Sequence, residues 1–369
     1  MNRMKLGEIL SVKHGWAFKG EYFAEDGEQS ILTPGNFFEK GGFKPNNGKE
    51  RYYTGVYPKE YLCHKGDLIV AMTQQAEGLL GSTALVPEND KYLHNQRIGL
   101  ITCDEKRLNK LFAYYLFMTK SVREQLERSS SGTKVKHTSP EKIYDVEVEI
   151  PDVISQQKIA NLLWSVDEKI ANNKAINDNL EQQAYLIFEN MMAKAEAHRL
   201  KGKYTEAKFL ASVITGKEDA NFSVPNGKYK FFTCSNKPLY CNSYAFHTSS
   251  ILIAGNGDFN VKHYSGKFNA YQRTYVLTPK KEYFALLYLA SLYRINSFKS
   301  SSSGSIVKFI TKSDVENIPV FIPDDTAYLD ELNKLLLAQE QNTLENELLV
   351  QLRDWLLPML MNGQATISD

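Results

Sequence analysis

The sequence predicts a mixed α/β (α+β) protein built from two similar globular modules, each followed by a long helix, as an internal repeat with pseudo-twofold character. Three observations carry this. At 369 residues the chain exceeds what one hydrophobic core usually organises. The stretch "SSSGTKVKHTS" at 129–139 returns 172 positions later as "SSSGSIVKFIT" at 301–311. A glycine-free helical run follows each copy, from about Ser155 to His198 and from about Thr326 to Met361.

The elements follow in the same order in both copies. "KLGEILSVKHG" near the start pairs with "KFLASVITGK" at 208–217. An apolar strand with a glycine-containing polar loop comes next, "GDLIVAMTQQAEGLLGSTALV" and "SSILIAGNGDFNVKHYSGKF", then "NQRIGLIT" and "YQRTYVLT". At the offset of 172, Phe112 and Ala113 fall on Phe284 and Ala285 inside an aromatic, leucine-rich helix. The Ser/Gly loop follows, then an alternating strand stopped by proline, with Ile150, Pro151 and Asp152 falling on Ile322, Pro323 and Asp324. The expected boundaries are a first module at 1–153, a helix at 154–198, a shorter second module at 199–324 and a helix at 325–361.

The first long helix carries a heptad seam, with Ile159, Leu163, Val166, Ile170, Asn173, Asn177 and Leu180 alternating four and three apart. Asparagines in such a seam cost stability and fix register. In the second helix Leu344, Leu348, Leu352 and Trp355 are the expected interface residues, with Gln339, Asn342 and Asn346 as a polar centre to match the asparagines. Runs of about 40 residues extend about 60 Å, longer than a small domain is wide, which suits spacers.

Composition excludes several classes of function. No apolar run approaches the length of a membrane span and the N-terminus lacks the apolar core of a signal peptide, so a cytoplasmic protein is expected. Cys63, Cys103, Cys234 and Cys241 match neither a zinc pattern nor a disulfide framework. No two of the seven histidines are spaced i, i+4, so no metal site is expected. A net charge of +1 argues against coating nucleic acid by bulk electrostatics; DNA binding then relies on local patches or a partner, and the chain alone should bind weakly with a shallow salt dependence.

Catalytic signatures are missing. There is no phosphate-binding GxxxxGK[ST] loop, GxGxxG turn, GxSxG elbow, HExxH pair or NPPF-type motif, and "GNGDFN" at 255–260 lacks the necessary lysine. Asp152, Asp167 and Lys169 superficially match a nuclease carboxylate–lysine set. However, Asp167 and Lys169 sit two apart on a helix and point away from each other, and the second copy has "AQEQN" at that place. No catalytic residue is assigned, and Asp167 is expected on a solvated helix face.

Two non-identical modules held on spacer helices are what reading two half-sites requires. The arrangement resembles the specificity subunit of type I restriction-modification systems over nearly the whole chain, most specifically in "EIPDVISQQKIANLLWSVDEKIANNKAINDNLEQQ" and its counterpart ending "LRDWLLPMLMNG". The resemblance implies two target recognition domains joined and separated by two antiparallel coiled-coil helices. It implies a non-catalytic subunit that reads a bipartite sequence in double-stranded DNA, and two methyltransferase subunits using S-adenosylmethionine as partners. Restriction and translocase subunits using ATP and Mg²⁺ complete the implied assembly, and no cofactor is bound by this chain itself. The rival readings are a targeting subunit of another DNA-modifying defence system and a coiled-coil scaffold for protein interactions.

Phosphate contacts set register while base edges carry sequence. Lys134, Lys136 and His137 in the first Ser/Gly loop, and Lys308 and Lys312 in the second, are the expected phosphate-side residues. Thr73, Gln74 and Gln75, and Asn256, Asp258, Asn260 and Lys262, are the candidate base readers, because amide side chains pair bidentately with adenine and cationic ones with guanine. Arg97 and Arg273 recur in the "QR" pairs and are expected to grip phosphate or brace the framework.

Overall fold

The computed structural model describes residues 1–46, 48–74, 76–132, 135–257, 259–301 and 309–367. The chain forms two compact units, Met1–Ile170 with Glu347–Asp369, and Ala171–Asn346. Among the described residues no helix is long and apolar enough to cross a membrane.

In the first unit, strands β1 (Asn2–Lys5), β2 (Leu10–His14), β3 (Leu68–Ala71), β4 (Thr83–Leu85) and β5 (Ile98–Cys103) precede three short helices. These are α1 (Lys110–Leu116), α2 (Lys120–Ser129) and α3 (Pro140–Tyr144), and β6 (Glu147–Ile150) then leads into the long helix α4 (Val153–Glu196). The central sheet runs β2-β5-β3-β4, while β6 returns antiparallel to β1 with Ile150 opposite Asn2. Strand β3 reads as an unbroken apolar run because both of its faces are covered. Leu68 and Val70 pack with Phe112 and Tyr115 of α1, and Ile69 and Ala71 face a second cluster with Leu32 and Phe37.

The second unit repeats the plan with β7 (Gly202–Glu206), β8 (Ala211–Thr215), β9 (Tyr229–Phe232), β10 (Leu239–Cys241), β11 (Phe246–Ala254), β12 (Val261–Ala270) and β13 (Thr274–Pro279). Helices α5 (Phe284–Ser301) and α6 (Lys312–Glu316), strand β14 (Pro319–Pro323) and the long helix α7 (Ala327–Met361) complete it. Its sheet runs β8-β13-β11-β12-β9-β10, and β14 pairs antiparallel with β7 as β6 does with β1. The apolar run of β11 is divided in the same way, with Ile251 and Ile253 in the helix-covered core and Leu252 in a smaller cluster with Phe232 and Phe268. The helix after each Ser/Gly loop is capped at matching positions. Ser139 accepts from the Lys142 amide, and Thr311 forms a capping box with Asp314.

The long helices pack antiparallel within each unit. In the first, Ile159 and Leu163 share a core with Leu360 and Met361, and Asp167 pairs with Arg353 at 2.7 Å. In the second, Asn173 donates to Glu345 at 2.7 Å and Asn346 at 3.0 Å, Asn177 donates to Thr343 at 3.0 Å, and Asn342 donates to Asn177 at 3.0 Å. The expected α4 seam is thus the buried one. Ile159, Leu163, Val166, Ile170 and Asn173 are all buried, and Asn177 and Leu180 are half-buried.

The expected α7 seam requires correction. Leu344, Leu348, Leu352 and Trp355 are 60%, 58%, 43% and 59% exposed. The face turned toward α4 carries the expected polar centre, Gln339, Asn342 and Asn346, together with Leu332, Leu336, Arg353 and Leu360, because polar residues there find polar partners on α4. Asp167 is likewise half-buried rather than on a solvated face. It accepts from the Tyr115 hydroxyl at 2.7 Å as well as from Arg353, which assigns it to the helix packing.

Candidate nucleic-acid interface

The first Ser/Gly loop closes on itself. The Ser131 amide donates to the His137 carbonyl at 3.0 Å and the His137 amide donates back to Ser131 at 2.8 Å. Gly132, at φ +100°, makes this turn possible, since a Cβ there would lie 2.1 Å from the Val135 carbonyl oxygen. The closed loop then docks on the end of β3. The Gln74 amide donates to the Lys136 carbonyl at 2.9 Å, the Thr138 amide to the Met72 carbonyl at 2.9 Å, and Thr73 Oγ1 lies 3.1 Å from His137 Nδ1. Thr73 is buried, which corrects its assignment as an outward-reaching base reader, while Gln74 and His137, expected separately as base-side and phosphate-side residues, come together in one surface. Lys136 pairs with Glu127, which offsets its charge, while His137 is exposed and Gln74 half-buried.

The "QR" pair supplies the bracket beneath this surface, twice. The Gln96 amide donates to the Trp16 carbonyl and the Gln272 amide to the Glu218 carbonyl, at 3.1 and 2.9 Å. The Arg97 carbonyl accepts from the Met72 amide at 3.0 Å, as the Arg273 carbonyl accepts from the Gly255 amide at 2.8 Å. The Thr138-to-Met72 bond has its counterpart in the Ile310 amide, which donates to the Gly255 carbonyl at 2.8 Å. Gly15 and Gly216 belong to the same bracket, where a Cβ would sit 2.1 Å from the carbonyl oxygens of Asn95 and Ala270 respectively. The backbones of Arg97 and Arg273 thus brace the framework while both side chains are exposed.

In the second unit, Arg273 and Lys312 line one depression with Gly255, Gln272, Tyr275 and Phe309, and Lys312 pairs with Glu316 at 3.3 Å. Asn256 is half-buried in the turn after β11. Asn260 and Lys262 are turned inward, which corrects their assignment as outward-reaching base readers. Asn260 donates to the Cys234 carbonyl at 2.7 Å, and the Lys262 ammonium donates to the Thr233 and Ser235 carbonyls at 3.3 and 2.6 Å. Burial pushes the Lys262 pKa down to about 8. Together they pin the 233–235 loop to β12. Gln75, Lys134, Asp258 and Lys308 lie outside the described residues.

One residue that organises the first surface carries no motif in the sequence. Arg123 of α2 donates to the carbonyls of Phe117 at 2.6 Å, Leu80 at 2.7 Å, Gly78 at 3.0 Å and Glu39 at 3.3 Å. Burial lowers its pKa to about 10. The guanidinium fork ties the loop that begins at Thr73 to the helical layer. Beside it lies a cleft of about 580 Å³ whose lining includes Gln74, Glu77, Lys120, Arg353 and Asp354. Among the described residues, no group of three His, Cys, Asp or Glu side chains is placed to hold a metal ion.

This duplicated architecture has counterparts among known proteins. The solved S subunit of a type I restriction-modification system from M. genitalium superposes over 100% of this chain and 96% of its own, with a TM-score of 0.64 at 17% identity, a likeness of fold. The EcoDI type I restriction enzyme specificity subunit of Escherichia coli is 40% identical over 172 residues, 44% of this chain but only 38% of that relative's length. The MjaIX specificity subunit of Methanocaldococcus jannaschii is 24% identical over 303 residues, covering 70% of this chain and 69% of its own. Residues 1–182 and 193–349 both match the model of the type I restriction modification DNA specificity domain, and the chain therefore belongs to that family.

Proposed function

We propose that this chain is the non-catalytic DNA-reading subunit of a type I restriction-modification assembly. Its two modules each read one half of a bipartite target in double-stranded DNA. The observation that carries this reading is the bracket built twice from the same backbone bonds, each time setting a polar loop beside the segment that follows the Ser/Gly stretch. Identical frames with unlike loops are what two different half-sites call for. Two methyltransferase subunits using S-adenosylmethionine, and restriction and translocase subunits using ATP and Mg²⁺, supply the chemistry. The exposed Leu348, Leu352 and Trp355 on α7 offer apolar surface for the methyltransferase.

The test is methylation-sensitive sequencing of DNA treated with the chain reconstituted with its methyltransferase. The expected product is methyladenine in two short sequences separated by a fixed gap. A continuous motif, or none, overturns the two-reader function.

A further inference from the structure

The chain's near-neutral charge hides a strong segregation. Of 44 basic and 43 acidic residues, eight basic residues and a single acid, Asp258, fall within 220–281, leaving 36 against 42 in the rest. That segment covers strands β9 to β13 of the second unit. The first module has no such imbalance, with 21 basic and 20 acidic residues within 1–150.

Part of this charge is gathered on one face of the β11–β12 hairpin. Lys267 sits opposite His247 in the strand register, and the next pair along, Ser249 and Ser265, share a hydroxyl contact at 2.7 Å. The Lys267 ammonium lies 5.0 Å from the Tyr244 ring centroid. Tyr244 meets Tyr229 edge-on at 5.0 Å, and the Lys228 ammonium lies 5.5 Å from the Tyr229 ring. Lys228, Tyr244, His247, Ser249, Ser265 and Lys267 are all exposed. A ring beneath an ammonium attracts it without neutralising its charge and limits its freedom, so the cation is held out ready for an anion. Lys13 and Lys91 of the first unit also lie over rings, those of Tyr61 and Tyr92, but Glu60 and Glu88 offset their charge, and Lys5, Lys40 and Lys136 pair with carboxylates too.

We propose that Lys228 and Lys267, mounted on Tyr229 and Tyr244 and flanked by His247, form a phosphate-gripping surface through which the second module supplies most of the salt-dependent hold on duplex DNA. The inference rests on the DNA-reading function above and adds an asymmetry to it: both modules read, but the second is the electrostatic anchor. A phosphate backbone is the occupant that matches a face with this charge excess, hydroxyl donors and aromatic supports.

The test compares the salt dependence of binding to the bipartite target for the chain assembled with its methyltransferase. Each lost phosphate contact lowers the slope of log K against log[salt] by about 0.9, so the Lys228→Gln, Lys267→Gln double variant should lose about 1.8. The Lys228→Arg, Lys267→Arg variant should keep the wild-type slope, as should Lys59→Gln, Lys65→Gln on the first unit. An unchanged slope in the second-unit glutamine variant, or equal losses from the two glutamine pairs, overturns the anchor while leaving the DNA-reading function intact. A wild-type assembly that binds no duplex overturns both. Methyltransferase co-purification, expected to be unchanged in every variant, reports that the fold is preserved.

Discussion

At the scale of single residues, the first unit depends on two groups, one half-buried and one buried, whose partners are backbone carbonyls. Arg123 serves four of them at once, and removing its fork leaves the part-buried Phe117 and Leu80 carbonyls without that donor. Arg123→Met should lower the stability of the first unit by about 3 kcal/mol. A urea midpoint corresponding to a change below about 0.5 kcal/mol would show the fork to be dispensable. His94 is 1% exposed, with Nε2 at 2.8 Å from the Ile98 carbonyl and no partner for Nδ1. Burial lowers its pKa from 6.5 to about 4. The unfolded chain therefore takes up a proton that the folded one refuses, so the associated stability is complete above pH 6.5 and is lost as pH falls through 4. The loss approaches about 3 kcal/mol at pH 4. Unfolding of wild type and His94→Gln across this window should show the glutamine variant less pH-dependent; parallel curves would mean that His94 does not titrate there.

At the scale of elements, the two long helices show what a heptad pattern does and does not reveal. In α4 the seam is apolar around Leu163 and Ile170, so periodicity locates it. In α7 the seam passes through the expected polar centre, Gln339, Asn342 and Asn346, and on to Arg353, whereas a reading that extends it by following leucines lands on the opposite face. Hydrophobic spacing identifies a buried stripe only where burial is paid for by apolar contact; Arg353 is half-buried against α4 because Asp167 faces it. Burial opposes the Arg353 charge, yet its hydrogen bond and charge pairing with Asp167 outweigh that and raise its pKa. The displaced leucines have a testable use. Leu352→Ser with Trp355→Ser should leave the melting temperature nearly unchanged but reduce methyltransferase co-purification severalfold. Leu163→Ala, in the buried seam, should instead cost about 2–5 kcal/mol. A double serine variant that retains its partner in full would remove α7's outer face from the assembly.

At the scale of the whole molecule, the duplication was legible in the letters because framework positions are constrained in both copies: Ser139 and Thr311 need a hydroxyl to cap a helix, and Gly15 and Gly216 leave no room for a Cβ. The division of labour among polar residues was not legible. Asn260 and Lys262 have the side chains of base readers but are engaged by backbone carbonyls, which only the path of the 233–235 loop determines. Arg123 stood out from no other helix-surface arginine until the carbonyls around it were placed. The pairing of β1 with β6 and of β7 with β14 has a further consequence. Asn2 lies opposite Ile150 and Gly202 opposite Pro323, so the chain enters and leaves each module side by side. Each module is a cassette plugged in through a two-strand stem, and its loops can lengthen, shorten or be exchanged without altering the phase at which the following helix sets out.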